Sequence, residues 1–487
     1  MRLPKPILPT PMLVAALALP LAACGAAYAK DPVESVAAAP VAKQGAKESK
    51  ARNVILFIGD GMGISTVTAA RIYAGQKLGQ SGEEYVLPFE TFDHVALVKT
   101  YNTNAQVPDS AGTASAMNTG FKTQIGFLGI GPEARRGDCL SGKQYEQALL
   151  SEQAKARGLA LGIVSTARIT HATPAAVYAR STDRDWESDA AIPERQRGLG
   201  CDDIAQQLVN TDFDVALGGG RAAFFGSTKG GRRLDAGADL PAAWQARTGG
   251  SYVESASAMM AAPMGKPLLG IFSPSHMAYT VDRTPDSSEP TLTDMTREAV
   301  TRLGQDPDGY YLMVESGRID HGHHEGKAGY ALEEAVEFAR AIQWAIDNTD
   351  PEETLILVTA DHSHVFTIAG YPRRGNDILG LVIPPEGGGE DGGDTDGGPT
   401  LAADGKPYTT LGYANGPGAV AIGTEGGRPV PETGVRARQQ ALVPGGSETH
   451  AGEDVALYAR GPGAERVRGV IEQNLIYRII VAALGWE

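Results

Sequence analysis

The chain has 487 residues, 42% of them hydrophobic, enough to bury one large core or two modest ones. Its formal net charge is −15 and no long basic run occurs, so a nucleic-acid partner has no electrostatic footprint. The same balance repels anions at long range, so a site for an anionic ligand needs concentrated local positive charge, from metals or an arginine.

At the N-terminus, Arg2 and Lys5 precede the apolar run from Pro11 to Pro20, which ends in small residues. This pattern predicts an export signal over residues 1–29, too short to span a membrane. Two cleavage readings compete. Leu21-Ala-Ala-Cys24 resembles a bacterial lipobox, with Cys24 lipidated as the mature N-terminus; Ala27-Tyr-Ala29 resembles an ordinary small-x-small site. The lipobox is preferred because a cysteine lies at the end of the apolar run. Either reading predicts an exported protein, periplasmic or at the cell surface; a membrane is met only under the lipobox reading, through a lipid on Cys24. Two cysteines then remain, Cys139 and Cys201, which invite one disulfide or else sit as two buried thiols. Residues 30–52 are rich in Ala, Lys, Val and Glu without aromatics and read as a tether, or as a frayed helix. The folded body is expected over 53–487.

From Asn53 onward, short β-branched runs alternate with helical patterns. Val54–Ile58 predicts a strand that ends in Gly59-Asp60-Gly61-Met62-Gly63 and a helix. Ser110, behind Pro108 and Asp109, opens a small-residue helix. Leu161–Val164 and Asp214–Leu217 predict further strands. Tyr310–Val314 is followed by Glu315, Asp320 and His324, and then by a helix with apolar residues at Ala328, Leu332, Ala335, Ala339, Ile342 and Ile346. Thr354–Thr359 runs into Ala360-Asp361-His362. Gly387 to Gly398 is an acidic glycine-rich loop whose spacing fits no EF-hand. His450 precedes one more apolar run, Val455–Ala459. The alternation predicts an α/β fold with a mostly parallel central sheet covered on both faces.

Open α/β sheets bind ligands beyond the carboxyl ends of their strands. Asp60, Glu315, Asp320, His324, Asp361 and His362 follow strands and His450 precedes one; carboxylates and imidazoles converging at one rim suit zinc. Asp320 and His324, four apart, suit one metal. His323 and His364 read as structural; His94 and His276 receive no role. Ser110 near a helix N-terminus is either a nucleophile favoured by the helix dipole or a plain N-cap.

Six ordered segments, Phe57–Gly63, Gln106–Ala114, His171–Pro174, Gly317–Gly326, Ala360–His362 and Thr449–Val455, resemble the alkaline phosphatases. The stretch Ala96–Ser110 is most similar to the animal enzymes of the tissue-nonspecific type. The resemblance runs from about Asn53 to the C-terminus. It implies a three-layer α/β sandwich with a crown-like insertion at about 371–430, a homodimer, and hydrolysis of small-molecule phosphate monoesters through a phosphoserine on Ser110. It implies two Zn2+ and one Mg2+. One zinc takes Asp320, His324 and His450; the other takes Asp60, Asp361 and His362. Magnesium takes Asp60, Thr173 and Glu315, with His171 and His321 around it. Arg184 resembles the phosphate-clamping arginine, and Cys139 with Cys201 a family disulfide. Ser273 stands where the animal enzymes carry a calcium-binding Glu, although Glu289 matches another ligand, so calcium is not expected. The rivals are a phosphodiesterase of the same superfamily and a non-catalytic surface lipoprotein binding phosphate or metal. A sulfatase is excluded, because Cys139 is followed by Leu140 and Ser141 rather than its Cys-x-Pro-x-Arg motif.

Overall fold

The computed structural model describes residues 50–387, 397–420 and 427–486. The export signal with Cys24, almost all of the tether and most of the acidic glycine loop lie outside the described residues. Ala51 and Arg52, read from sequence as the end of the tether, are already hydrogen-bonded into the body, to the carbonyls of Ala483 and Glu353.

Eight strands come first: β1 (Asn53–Gly59), β2 (His94–Lys99), β3 (Ala160–Arg168), β4 (Val215–Gly219), β5 (Ser251–Val253), β6 (Leu268–Ile271), β7 (Tyr310–Ser316) and β8 (Thr354–Ala360). Five short ones follow, β9 (Ser363–His364), β10 (Phe366–Ile368), β11 (Leu411–Gly416), β12 (Ala441–Pro444) and β13 (His450–Ala451), then β14 (Val455–Arg460) and β15 (Gly469–Glu472). The central sheet has the order β15-β2-β14-β8-β1-β7-β3-β4-β6-β5. Only β14 runs against its neighbours β2 and β8; every other pairing is parallel. The inner strands β7 and β8 are buried at every residue, which is why they read as unbroken apolar runs without alternation.

Helices cover both faces. The helix Ala328–Asn348 lies beside Ile64–Lys77 and Leu292–Leu303, while Ser110–Thr119 and Leu475–Ala483 pack together elsewhere. Phe57 of β1 meets Phe338 edge-on at 5.9 Å. Of the insertion expected over 371–430, the described residues supply β11, which pairs with β10 and β12 in a small sheet separate from the central one. Cys139 and Cys201 form a disulfide across 62 residues, beside buried Trp186 and Ile192. Among the described residues no helix is long and apolar enough to cross a membrane.

Candidate active site

The predicted functional residues converge on one rim. Asp60 follows β1, Glu315 is the next-to-last residue of β7, and Asp361 and His362 follow β8, all at the carboxyl ends of adjacent parallel strands. His450 precedes its strand for a topological reason: β14 is antiparallel, so its beginning lies at the rim. Gly61 turns the chain at φ +69°, and a side chain there would collide with the His364 ring at 2.3 Å.

Ser110 is buried at the first turn of the helix Ser110–Thr119 but does not cap it. Asp109 does: its Oδ1 accepts from Gly112 N–H at 3.0 Å and from Asn102 Nδ2 at 3.0 Å. The Ser110 hydroxyl is therefore spared and lies 3.2 Å from His362 Nε2. The other Asp109 oxygen accepts from Gly126 N–H at 2.9 Å and from Arg184 Nη1 at 3.2 Å. Arg184 Nη2 lies 3.1 Å from His171 Nε2.

Two donor sets have the dimensions of a zinc site. Around His362 Nε2 stand Ser110 Oγ at 3.2 Å, Asp361 Oδ2 at 3.3 Å and Asp60 Oδ1 at 3.4 Å. In the second set, His324 Nε2 is 3.3 Å from Asp320 Oδ1 and 3.2 Å from His450 Nε2, and His450 Nε2 is 3.4 Å from Asp320 Oδ1. Tetrahedral zinc with bonds of about 2.0–2.1 Å spaces its ligands about 3.3 Å apart. The rings of His362 and His450 stack at 3.6 Å, placing the sets side by side. A third cluster brings ligand atoms of Asp60, Glu315 and His171 within 4.8 Å of one another. Thr173 Oγ1 is 3.4 Å from Asp60 Oδ2. Asp60 Oδ1, Glu315 Oε1, His171 Nδ1 and His321 Nδ1 are buried without a hydrogen-bond partner. Buried polar atoms rarely stay unpaired, and the two carboxylate oxygens among these are hard donors that fit a divalent cation.

The electrostatics agree. Burial first, then the neighbouring carboxylates Asp361 and Asp320, raises Asp60 well above the ordinary carboxylate range. Burial pushes Glu315 up to about 7. Burial would also raise Asp320, but His324, His364 and His450 outweigh it and hold that carboxyl well below its usual value. Burial, followed by neighbouring positive groups, keeps His171 and His362 neutral, as a ligand requires.

This geometry brings four further residues to the site: His364, read from sequence as structural, His276, given no role, and Glu448 and Glu187, not singled out. His364 is buried between Asp320 Oδ1 at 2.9 Å and Glu448 Oε2 at 2.5 Å. Its spacing two residues after His362 on an extended chain was the available signal. The carbonyl of Glu448 meets His324 Nδ1 at 2.6 Å. His276 lies 4.0 Å from the His321 ring and 5.3 Å from the His171 ring. Glu187 is tied to Arg168 and Thr170. His323 is structural as read, bonded to Thr66 Oγ1 at 3.0 Å and Tyr413 OH at 2.8 Å. Ser273 Oγ donates to the carbonyls of Ser275 and His276, and Glu289 accepts from Ala278 N–H, so both are engaged by protein partners.

An α/β sheet whose carboxyl rim gathers such donors around a relieved serine defines a metal-binding hydrolase. A family model described as alkaline phosphatase matches residues 51–486. The tissue-nonspecific alkaline phosphatase isozyme of Gallus gallus is 45% identical over 450 residues, covering 88% of this chain and 83% of that one. The Homo sapiens isozyme is 43% identical over 455 residues, covering 89% and 83%. Two solved alkaline phosphatases share the fold. That of the Antarctic bacterium TAB5 has a TM-score of 0.63 at 21% identity, covering 91% of this chain and 100% of that one. That of Thermus thermophilus has a TM-score of 0.63 at 23% identity, covering 90% and 93%. The chain belongs to the alkaline phosphatase family. It is a metal-dependent enzyme that hydrolyses phosphate monoesters.

Proposed function

We propose that Ser110 is the nucleophile and that the reaction passes through a phosphoserine. The observation that carries this is the transfer of the capping duty to Asp109, which leaves the Ser110 hydroxyl free beside His362 of the donor set formed with Asp60 and Asp361. Asp320, His324 and His450 would hold one Zn2+; Asp60, Asp361 and His362 the other; Asp60, Thr173 and Glu315 one Mg2+, with His171 and His321 beside it. When bound, these ions supply the Lewis acidity that ionises the serine and a water and stabilises the leaving alkoxide.

Ser110 Oγ attacks phosphorus in line, forming the O–P bond as the bond to the substrate alcohol breaks. The amino end of the helix Ser110–Thr119 favours negative charge on that oxygen and on the phosphoryl group. Arg184 offers a planar fork to two non-bridging oxygens, and Asp109 and His171 fix its plane. Water then attacks the phosphoserine, releasing inorganic phosphate and restoring the hydroxyl. The body over 53–487 would act as one catalytic domain with a crown-like insertion, pair as a homodimer and work outside the cytoplasm, periplasmic or at the surface, possessing a lipid on Cys24.

Ser110→Ala should lower kcat at least about a thousandfold while zinc and magnesium still bind. Acid quenching with labelled monoester should mark Ser110. Label on another residue, or retained turnover in the variant, removes the assignment. Comparing a monoester with a diester on the same protein tests the phosphodiesterase reading.

A further inference from the structure

Resting on the assignment of Arg184 to phosphate, we infer that Glu187 is a positioning residue that buckles the Arg184 segment onto the segment carrying His171 and Thr173. Glu187 is 6% exposed, yet its carboxylate is saturated with donors. Arg168 Nε reaches its two oxygens at 3.0 and 2.8 Å, Arg168 Nη2 donates at 2.7 Å, and Thr170 Oγ1 donates at 2.5 Å. Arg232 adds an ion pair at 3.4 Å.

The two joined segments need an external brace. The register of β3 against β4 shifts between Val164 and Arg168, so the stretch leading to His171 leaves the regular ladder. It then enters a helix of only 4 residues, Ala172–Ala175. Across from it, Arg184 N–H is held by the Gly126 carbonyl at 2.9 Å, and the carbonyls of Trp186 and Glu187 accept from Ile204 and Ala205 N–H at 2.9 and 3.2 Å. The 183–187 segment is thus anchored, and Glu187 transmits that anchorage to 168–171. The Arg184–His171 contact at 3.1 Å is the second rung between the same segments. One rung carries the phosphate arginine; the other keeps the rungs aligned. Arg168 is further fixed through its backbone N–H, which donates to His276 Nδ1 at 3.2 Å, and through its Nη1 against the His276 ring.

The alternative role, pure charge balance, predicts the opposite sign. Without the carboxylate, Arg168 and Arg232 would be uncompensated cations near the site and would attract phosphate more strongly. Loss of positioning instead slackens Arg184 and weakens phosphate.

The test uses the full, metal-loaded chain with inorganic phosphate as the probe. In Glu187→Gln, the inhibition constant for phosphate and the KM for a monoester should each rise about tenfold. Magnesium half-saturation, read by calorimetry without substrate, should weaken by a similar factor. Thr170→Val, which removes one rung contact and no charge, should move all three in the same direction by less; it carries the test if Glu187→Gln does not fold. Tighter phosphate binding overturns the inference. So do constants within about twofold of wild type accompanied by a lower melting temperature, the result a merely structural residue would give. Arg184→Ala is the reference: if it leaves phosphate binding intact, the Arg184 assignment has failed, whereas an effect there without one in Glu187→Gln fails the inference alone.

Discussion

Ser110 owes its available hydroxyl to its neighbour. A serine at the first helical position usually competes for the unpaired N–H groups of the first turn, but Asp109 satisfies Gly112 instead. Asp109→Ala should cost about 1 kcal/mol for the cap alone, read by denaturant unfolding, and more because Asn102 and Gly126 also lose an acceptor. Asp109→Asn keeps the cap oxygen and should lose less; equal losses would show that capping is not the term that matters. His171 invites a different test. Its imidazole is neutral and contributes no charge toward a magnesium ion beside Asp60 and Glu315. His171→Asp should tighten magnesium about tenfold, since a carboxylate suits a hard cation. The new carboxylate would also face Arg184 and compete with phosphate, slowing turnover. Identical magnesium midpoints in a calorimetric titration would refute the tuning. Residues of this kind were legible in the sequence where they follow a strand directly, as Asp60, Asp361 and His362 do. His364, Glu448 and His276 were not, because their partners lie far along the chain: His364 meets Glu448 across 84 residues and Arg168 meets His276 across 108. Glu187 was not either: its partners Arg168 and Thr170 are only 19 and 17 residues away, but no strand or helix period links them to it.

At the scale of elements, the apolar runs of β1, β7 and β8 announced a buried parallel sheet, whereas the reversed direction of β14 could not be read from its own residues. The helix Ala328–Asn348 shows a similar limit: its apolar stripe was visible, but not the buried acid within it. Glu334 accepts from the backbone N–H of Thr280. Burial nevertheless pushes its carboxyl up to about 7. A raised folded value gives stability that is complete below the unfolded value of about 4.5 and lost as pH rises through 7. Glu334→Gln should therefore melt higher than wild type at pH 9 and gain nothing at pH 4. A constant difference across that range would place the effect in packing instead of ionisation. The small sheet also reaches the site: Asn415 on β11 accepts from Thr449 N–H at 3.0 Å and donates to its hydroxyl at 2.9 Å, one residue before His450.

For the whole molecule, the rim is where folding and metal binding become one equilibrium. Asp60, Glu315, Asp320 and Asp361 are all buried there, and three of them carry raised values. In protein stripped of metal their ionisation opposes folding, and this cost grows as pH rises through about 7 for Glu315. Cation binding removes the cost and is itself favoured at high pH, where protons no longer compete for the ligands. Calorimetry should find the melting temperatures of metal-loaded and chelator-treated protein further apart at pH 9 than at pH 6; a gap that narrows with pH would contradict this account. The direction of the sheet has one more consequence. The catalytic rim lies at the carboxyl ends of the strands, whereas the described chain enters beside Ala483 and Glu353, at the start of β1. The 7 residues of β1 separate the two by about 23 Å, given about 3.3 Å per residue. Within the described body, therefore, the point where the chain enters and the donor groups of the rim stand at opposite ends of the same strand, so a change at the entry reaches the rim only through the length of β1.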